Sequence, residues 1–284
     1  MTTLVPKIKY LTNKDLLAAI HESKLTFCSF VDNRYKNYDI IAHNLANVTG
    51  DVLEAARQKK LQDMQAEEKK ENKSKNFESK LTLDHVPMNE IVVRLMTFDH
   101  VPINPAKEGK AKTIAERHIR CQFPPFQQWI WDKEEWKCVG KSHWKGGMEN
   151  GEFSLTHGRV TNRLGSMWMK LVERYGHRGN WRGYTYLDEM RAQALLQLSQ
   201  VGLQFDESKS SNPFAYYTQC VSTSFLKILT TEKKSQMIRD DLLIMHNSTP
   251  SHTRQVEDQL AQRTAIDGPI LAESTVLAPT GAAC

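Results

Sequence analysis

The sequence predicts a mainly α protein: a helical domain in the C-terminal half, an N-terminal helical extension, and a mixed α+β central segment. Three observations lead there. Between residues 156 and 228, apolar residues recur at three- and four-residue steps in three successive runs, the period of helices that bury one face. The run Ile91-Val92-Val93-Arg94-Leu95-Met96 is β-branched and apolar, as a strand requires. Residues 57–80 interleave both signs of charge with almost nothing apolar, which separates one folded part from another.

Taken in order, Thr12-Asn13-Lys14-Asp15 reads as a helix start, with Thr12 or Asn13 as the cap and Asp15 complementing the helix dipole. Leu16, Leu17, Ile20, Leu25 and Phe27 supply its apolar face. Ile40, Ile41, Leu45, Val48, Val52, Leu53 and Ala56 suggest a second helix, so residues 1–57 form an N-terminal helical subdomain. Residues 58–80 are a charged helix or linker without a core of its own, and 81–152 are a mixed, Trp-rich segment. Within the latter, Leu83-Asp84-His85-Val86-Pro87 recurs as Phe98-Asp99-His100-Val101-Pro102, a pair of matching turns around the strand. Trp129, Trp131 and Trp136 read as core, while Lys141-Ser142-His143-Trp144-Lys145-Gly146-Gly147 is open enough to approach a phosphate backbone.

The helical domain spans 153–240. Val160, Leu164, Met167, Trp168, Leu171 and Tyr175 form the first stripe, which Gly176 stops. Leu187, Met190, Ala194, Leu198 and Phe205 form the second. The third opens at Pro213, where the missing amide costs nothing, behind Ser211 or Asn212 as cap, and continues through Phe214, Tyr217, Val221, Phe225 and Ile228. Residues 241–284 are a C-terminal tail.

The five cysteines are far apart and form no CxxC pair, which fits reduced thiols rather than a disulfide framework. The first residues lack the apolar run of a signal peptide, and no window approaches the roughly 18 apolar residues of a membrane span. A soluble protein with no membrane partner is expected. The net charge of +5 permits an anionic partner. It is concentrated between residues 159 and 239, where twelve Lys/Arg face six Asp/Glu.

Two stretches carry a resemblance: Gly183-Tyr184-Thr185-Tyr186-Leu187-Asp188-Glu189-Met190, leading to Leu198 through Phe205-Asp206, and Ser211-Asn212-Pro213-Phe214-Ala215-Tyr216-Tyr217-Thr218-Gln219. Together they are similar to region 2 of bacterial sigma factors. More closely, they resemble the late-transcription sigma factors of T-even-type phages, in particular the longer version from phages of cyanobacteria. The likeness covers roughly residues 156–240.

It implies a sigma region 2-like fold in a phage-encoded factor that acts in the cytoplasm of the bacterial host. Such a factor binds host RNA polymerase core through the clamp helices of the largest subunit, and directs it to late promoters by recognising and helping to open a minus-ten-like element. The implied polymerase-docking face is Asp188, Glu189, Arg191, Gln193, Gln197 and Gln200. Promoter DNA falls to Phe214, Tyr216 and Tyr217, whose rings can hold unpaired bases at about 1–3 kcal/mol each. Lys227, Lys233, Lys234 and Arg239 follow, as cations for the displaced backbone.

No cofactor, metal or catalytic residue is implied. Primary sigma factors carry a Trp pair where this chain has Cys220-Val221, and a basic residue where it has Thr223; the departure predicts weaker melting and a phage coactivator. No four-helix reader of an upstream element follows. A sliding clamp is a further partner of this family, and Pro269-Ile270-Leu271-Ala272-Glu273 is the nearest counterpart of its clamp-gripping tail, although Gly281-Ala282-Ala283-Cys284 departs from it. Two other readings stand beside this one: an HNH-like metal-dependent nuclease using His85 and His100, and a polymerase-binding regulator that does not read DNA.

Overall fold

A computed structural model describes residues 11–71, 81–102 and 121–273, without the side chains of 70, 71 and 265–273. The chain divides into two compact units, the first ending at Ser222 and the second beginning at Thr223. Among the described residues there are six α-helices: α1 (Asn13–Leu25), α2 (Gly50–Glu71), α3 (Asn162–Gly176), α4 (Leu187–Val201), α5 (Pro213–Met245) and α6 (His252–Glu273). The strands are β1 (Cys28–Phe30), β2 (Ile40–Ala42), β3 (Val92–Met96), β4 (Phe126–Asp132), β5 (Glu135–Ser142), β6 (Trp144–Lys145) and β7 (Glu152–Phe153). The mainly α expectation with a mixed segment therefore holds at that level.

The first five strands make one sheet in the order β1-β5-β4-β3-β2, and β6 pairs with β7. All pairings in the five-stranded sheet are antiparallel except β2 with β3. A parallel pair needs a crossover, and α2 supplies it. The β4–β5 hairpin closes on Lys133 and Glu134, both at positive φ (49° and 66°), the backbone that matches strand twist in a two-residue turn.

Two expectations for the N-terminal part are corrected here. Residues 1–57 are not a separate helical subdomain, because β1 and β2 lie within them and pair with β5 and β3. Ile40 and Ile41, read as the start of a helix, are strand residues; the helix begins only at Gly50. The charged stretch that follows is a helix as far as Glu71, one of the two forms expected, but it does not lack a core contact. Leu53, Ala56, Leu61 and Met64 recur at helical spacing and pack on Ala42, Val86, Ile91, Val93, Trp131 and Trp136. Between them, Arg57 donates from Nε to the Val86 carbonyl (2.5 Å) and from Nη2 to that of Leu83 (2.8 Å), and Lys60 to that of Glu90 (2.7 Å). The charges of this face anchor rather than solvate it.

The opposite face of the sheet carries Val92, Ile130 and Val139 against Tyr35, and also Arg94, one residue pair further along β3. Arg94 is fully buried. Its guanidinium lies between the rings of Tyr38 (3.8 Å) and Phe126 (4.0 Å) and donates from Nη2 to His21 Nδ1 (3.2 Å). His21 therefore carries its proton on Nε2, which donates to Asn37 Oδ1 (3.3 Å). Burial first, and the Arg94 charge second, hold the His21 pKa down to about 4.

α1 is capped as expected, Thr12 Oγ1 accepting from Asp15 N (3.1 Å). It joins the sheet to the helices. Lys24, also buried, donates to the Phe205 carbonyl (2.7 Å) and to Glu207 Oε2 (2.8 Å); Ser23 bonds Thr161, the cap of α3 (2.9 Å). The described parts of 1–57 and 81–152, and residues 153–222 of the expected 153–240 domain, thus belong to one unit. No helix among the described residues is long and apolar enough to cross a membrane.

Candidate nucleic-acid and partner interface

The three expected helices form where the sequence places them. α3 buries Leu164, Trp168, Leu171, Val172 and Tyr175; α4 buries Met190, Ala194 and Leu198. Trp168 presses on Gly202, where an added Cβ would come within 2.2 Å of its ring, so only glycine lets α4 end there. Asn212 Oδ1 accepts from Ala215 N (3.1 Å) and Asn13 Oδ1 from Phe214 N (3.2 Å), capping α5 from two directions.

The three rings at the head of α5, expected to act together, go three different ways. Tyr217 is a correction. It is fully buried, edge-on to Trp168 at 5.8 Å, and its hydroxyl donates to the Gly202 carbonyl (3.0 Å). Burial drives its phenol pKa upward, and no base can reach it. Tyr216 is half-buried against Phe205 and donates to the Val201 carbonyl (2.8 Å); burial pushes its pKa up to about 12. Its hydroxyl is committed to the protein.

Phe214 alone turns outward, 42% exposed. It lines a cleft of about 250 Å³ with Leu11, Leu171, Arg174, Tyr175, Arg178 and Thr218. Arg178 covers the Tyr175 ring at 4.4 Å. An exposed ring beside two guanidiniums is the pairing that holds an unpaired base and its phosphate. The arginines escaped sequence reasoning, although Arg174, Arg178 and Arg182 repeat every fourth residue.

The expected cations Lys227, Lys233, Lys234 and Arg239 are exposed on the same helix, α5, but fall in the second unit. Val221, which the sequence resemblance would set at a wedge position, is fully buried, so a side chain there has no outward path. Phe205 is buried too, and Asp206 spends its carboxylate on the following turn. Burial opposes the Asp206 charge, yet bonds from Ser208 N (2.9 Å) and Oγ (2.6 Å) hold its pKa below the usual range.

On α4, Asp188, Glu189 and Gln200 are exposed as expected for a docking face. Gln193 and Gln197 are half-buried, and Arg191 folds back onto Asp188 (2.9 Å) and the end of α3 at Gly176. The outward row is instead Asp188, Glu189, Ala192, Leu196, Ser199 and Gln200, with Leu196 53% exposed within it. Below it, Ser199, Gln200 and Gln204 join Gln122, Arg159 and Phe27 around a cleft of about 530 Å³.

The histidines of the nuclease reading have structural duties. His85 Nδ1 accepts from Thr82 N (3.2 Å) within a capping box. His100 meets the Ser142 carbonyl (2.9 Å) and the Gln127 amide (3.2 Å) with its two nitrogens. No group of three or more His, Cys, Asp or Glu among the described residues is placed to hold a metal. At the Gly-Gly turn, Trp144 donates to Gly147 O (3.1 Å) under Lys141, closing that candidate on itself. Side chains of the suggested clamp-binding residues 269–273, and the last four residues, lie outside those described. Against known proteins, no family model, no curated protein and no solved structure matches the chain.

Proposed function

We propose that the chain is a sigma-like transcription factor that docks on bacterial RNA polymerase core through the outward row of α4 and holds unpaired promoter DNA at the head of α5. The observation that carries this reading is the cleft at Phe214. An exposed ring, two arginines and a fixed helix start meet there, on the helix that the sequence resemblance assigns to the minus-ten element.

In this mechanism Phe214 stacks on a flipped base, and Arg174 and Arg178 hold the adjoining phosphate. In the second unit, Lys227, Lys233, Lys234 and Arg239 offer contacts to the DNA backbone without reading sequence. Tyr217 and Val221 act from inside, fixing the helix rather than touching DNA. With one exposed ring in place of several, melting relies on a coactivator.

Co-purification with bacterial core polymerase, followed by run-off transcription from an AT-rich late-type promoter, tests the reading. Retention of polymerase with new initiation is expected. Loss of retention would overturn it, and retention without initiation would favour the regulator that does not read DNA.

A further inference from the structure

The second unit exposes a face that a solitary helix does not maintain in water. Within α5, Met237 (54%), Ile238 (61%), Leu242 (50%), Ile244 (45%) and Met245 (77%) are all exposed. Helical spacing puts Met237, Ile238, Leu242 and Met245 on one side, with Lys234 and Asp241 among them. The roughly opposite side is the one that holds the next helix. There Asp240 accepts from Ser251 N (2.8 Å) and Oγ (2.7 Å), and Gln236 donates to Ser251 Oγ (3.1 Å). The apolar side is therefore left over after the hairpin has formed.

We propose that this face pairs with the same face of a second copy, antiparallel, about a two-fold axis between Met237 and Ile238. Three features single out a second copy as the occupant.

The first is charge. Lys234 precedes that axis by as many residues as Asp241 follows it, so an antiparallel pair sets Lys234 of each copy against Asp241 of the other, twice. A parallel pair would set lysine on lysine and aspartate on aspartate. Asp241 remains available: its contact with Arg254 is long, 3.7 Å, and its side chain is 54% exposed.

The second is the match of apolar groups. The same axis brings Met237 and Ile238 of the two copies together. The third is area. The four side chains on this face leave on the order of several hundred Å² uncovered, about the size at which a patch on a monomer marks an interface. Both copies contribute it, toward the roughly 1,600 Å² in total of a standard interface. A surface complementary to itself under a two-fold is what an isologous dimer requires. Pairing also withdraws Lys234 from the DNA-contacting cations.

Sedimentation equilibrium of the full chain from about 1 to 100 µM reads this directly. The expected mass is twice 32.6 kDa at the upper end. Lys234→Asp and Asp241→Lys each place like charges together and should raise the dimer dissociation constant at least about tenfold. The double variant K234D/D241K restores opposite charges and should restore the dimer. Ile238→Glu, at a site already 61% exposed, should give a monomer with an unchanged circular dichroism melt. A wild-type chain that stays at monomer mass throughout overturns the proposal, as does a double variant no better than the singles. Retention of polymerase by these variants is scored separately, so this inference can fail without the functional reading failing.

Discussion

The molecule has two basic regions built from the same residue types and used in opposite ways. In the first unit, Lys24 and Arg94 are 2% and 0% exposed, clamped between sheet and helices. In the second, Lys227, Lys233, Lys234 and Arg239 stand in solvent along α5. The comparison teaches that a tally of charge along the sequence measures neither stability nor binding. A cation inside must have its partner or the fold loses several kcal/mol, whereas a cation outside contributes little to the fold and is free to meet an anion.

The sharpest way to break this contrast is Lys24→Ala. It leaves Glu207 buried without its cation, and should cost about 3–5 kcal/mol of unfolding free energy in a urea melt. A loss as small as that of Lys233→Ala would place Lys24 with the surface cations.

Acid probes the same interior. His21, held down to about 4 from its ordinary 6.5, binds fewer protons folded than unfolded between those values. Stability is thus unaffected by this group above pH 6.5, falls by about 1.4 kcal/mol for each pH step of one as pH drops toward 4, and levels off below. His143, held to about 3 chiefly by burial, adds to the fall. Urea melts at pH 7, 5.5 and 4 should show a weaker pH dependence in His21→Phe; an unchanged slope would remove His21 from the account.

Phe214→Ala moves to the outside. It should leave stability within about 0.5 kcal/mol while weakening binding of single-stranded promoter DNA by about 1–3 kcal/mol in fluorescence anisotropy. Smallest of all, Lys233→Ala should lower affinity uniformly across sequences and reduce the slope of log K against log salt by about 1, with no change in the melt.

Much of the fold could be read from local chemistry. The caps Thr12 and Asn212, the stripe of α3 and the strand at Val92–Met96 depend on neighbours a few residues away, and each lies where the sequence puts it. What escaped depends on distant partners. β1 and β2 are three residues each, too short to show alternation, and are strands only because β5 and β3 lie beside them. Phe214 and Tyr217 share one stripe, yet only Tyr217 sits beneath Trp168 and the end of α4. Periodicity identifies the stripe but not how far the covering helix extends over it. Arg174 and Arg178 become part of a site only because α5 begins beside the end of α3.

The bond from Lys24 to Glu207 spans 183 residues of chain. It also has a consequence for the order of events during synthesis. When α1 leaves the ribosome, the carboxylate that will neutralise Lys24 has yet to be made. At about 5–20 residues per second, that interval lasts roughly 10–40 s. Until then the helix cannot settle on the sheet without burying a naked ammonium, so closure of the first unit waits for the polymerised chain to pass Glu207. Contacts of such long sequence separation slow folding in general. Here the delay also falls on a charge, which keeps the early nascent chain open until α3 and α4 have been translated.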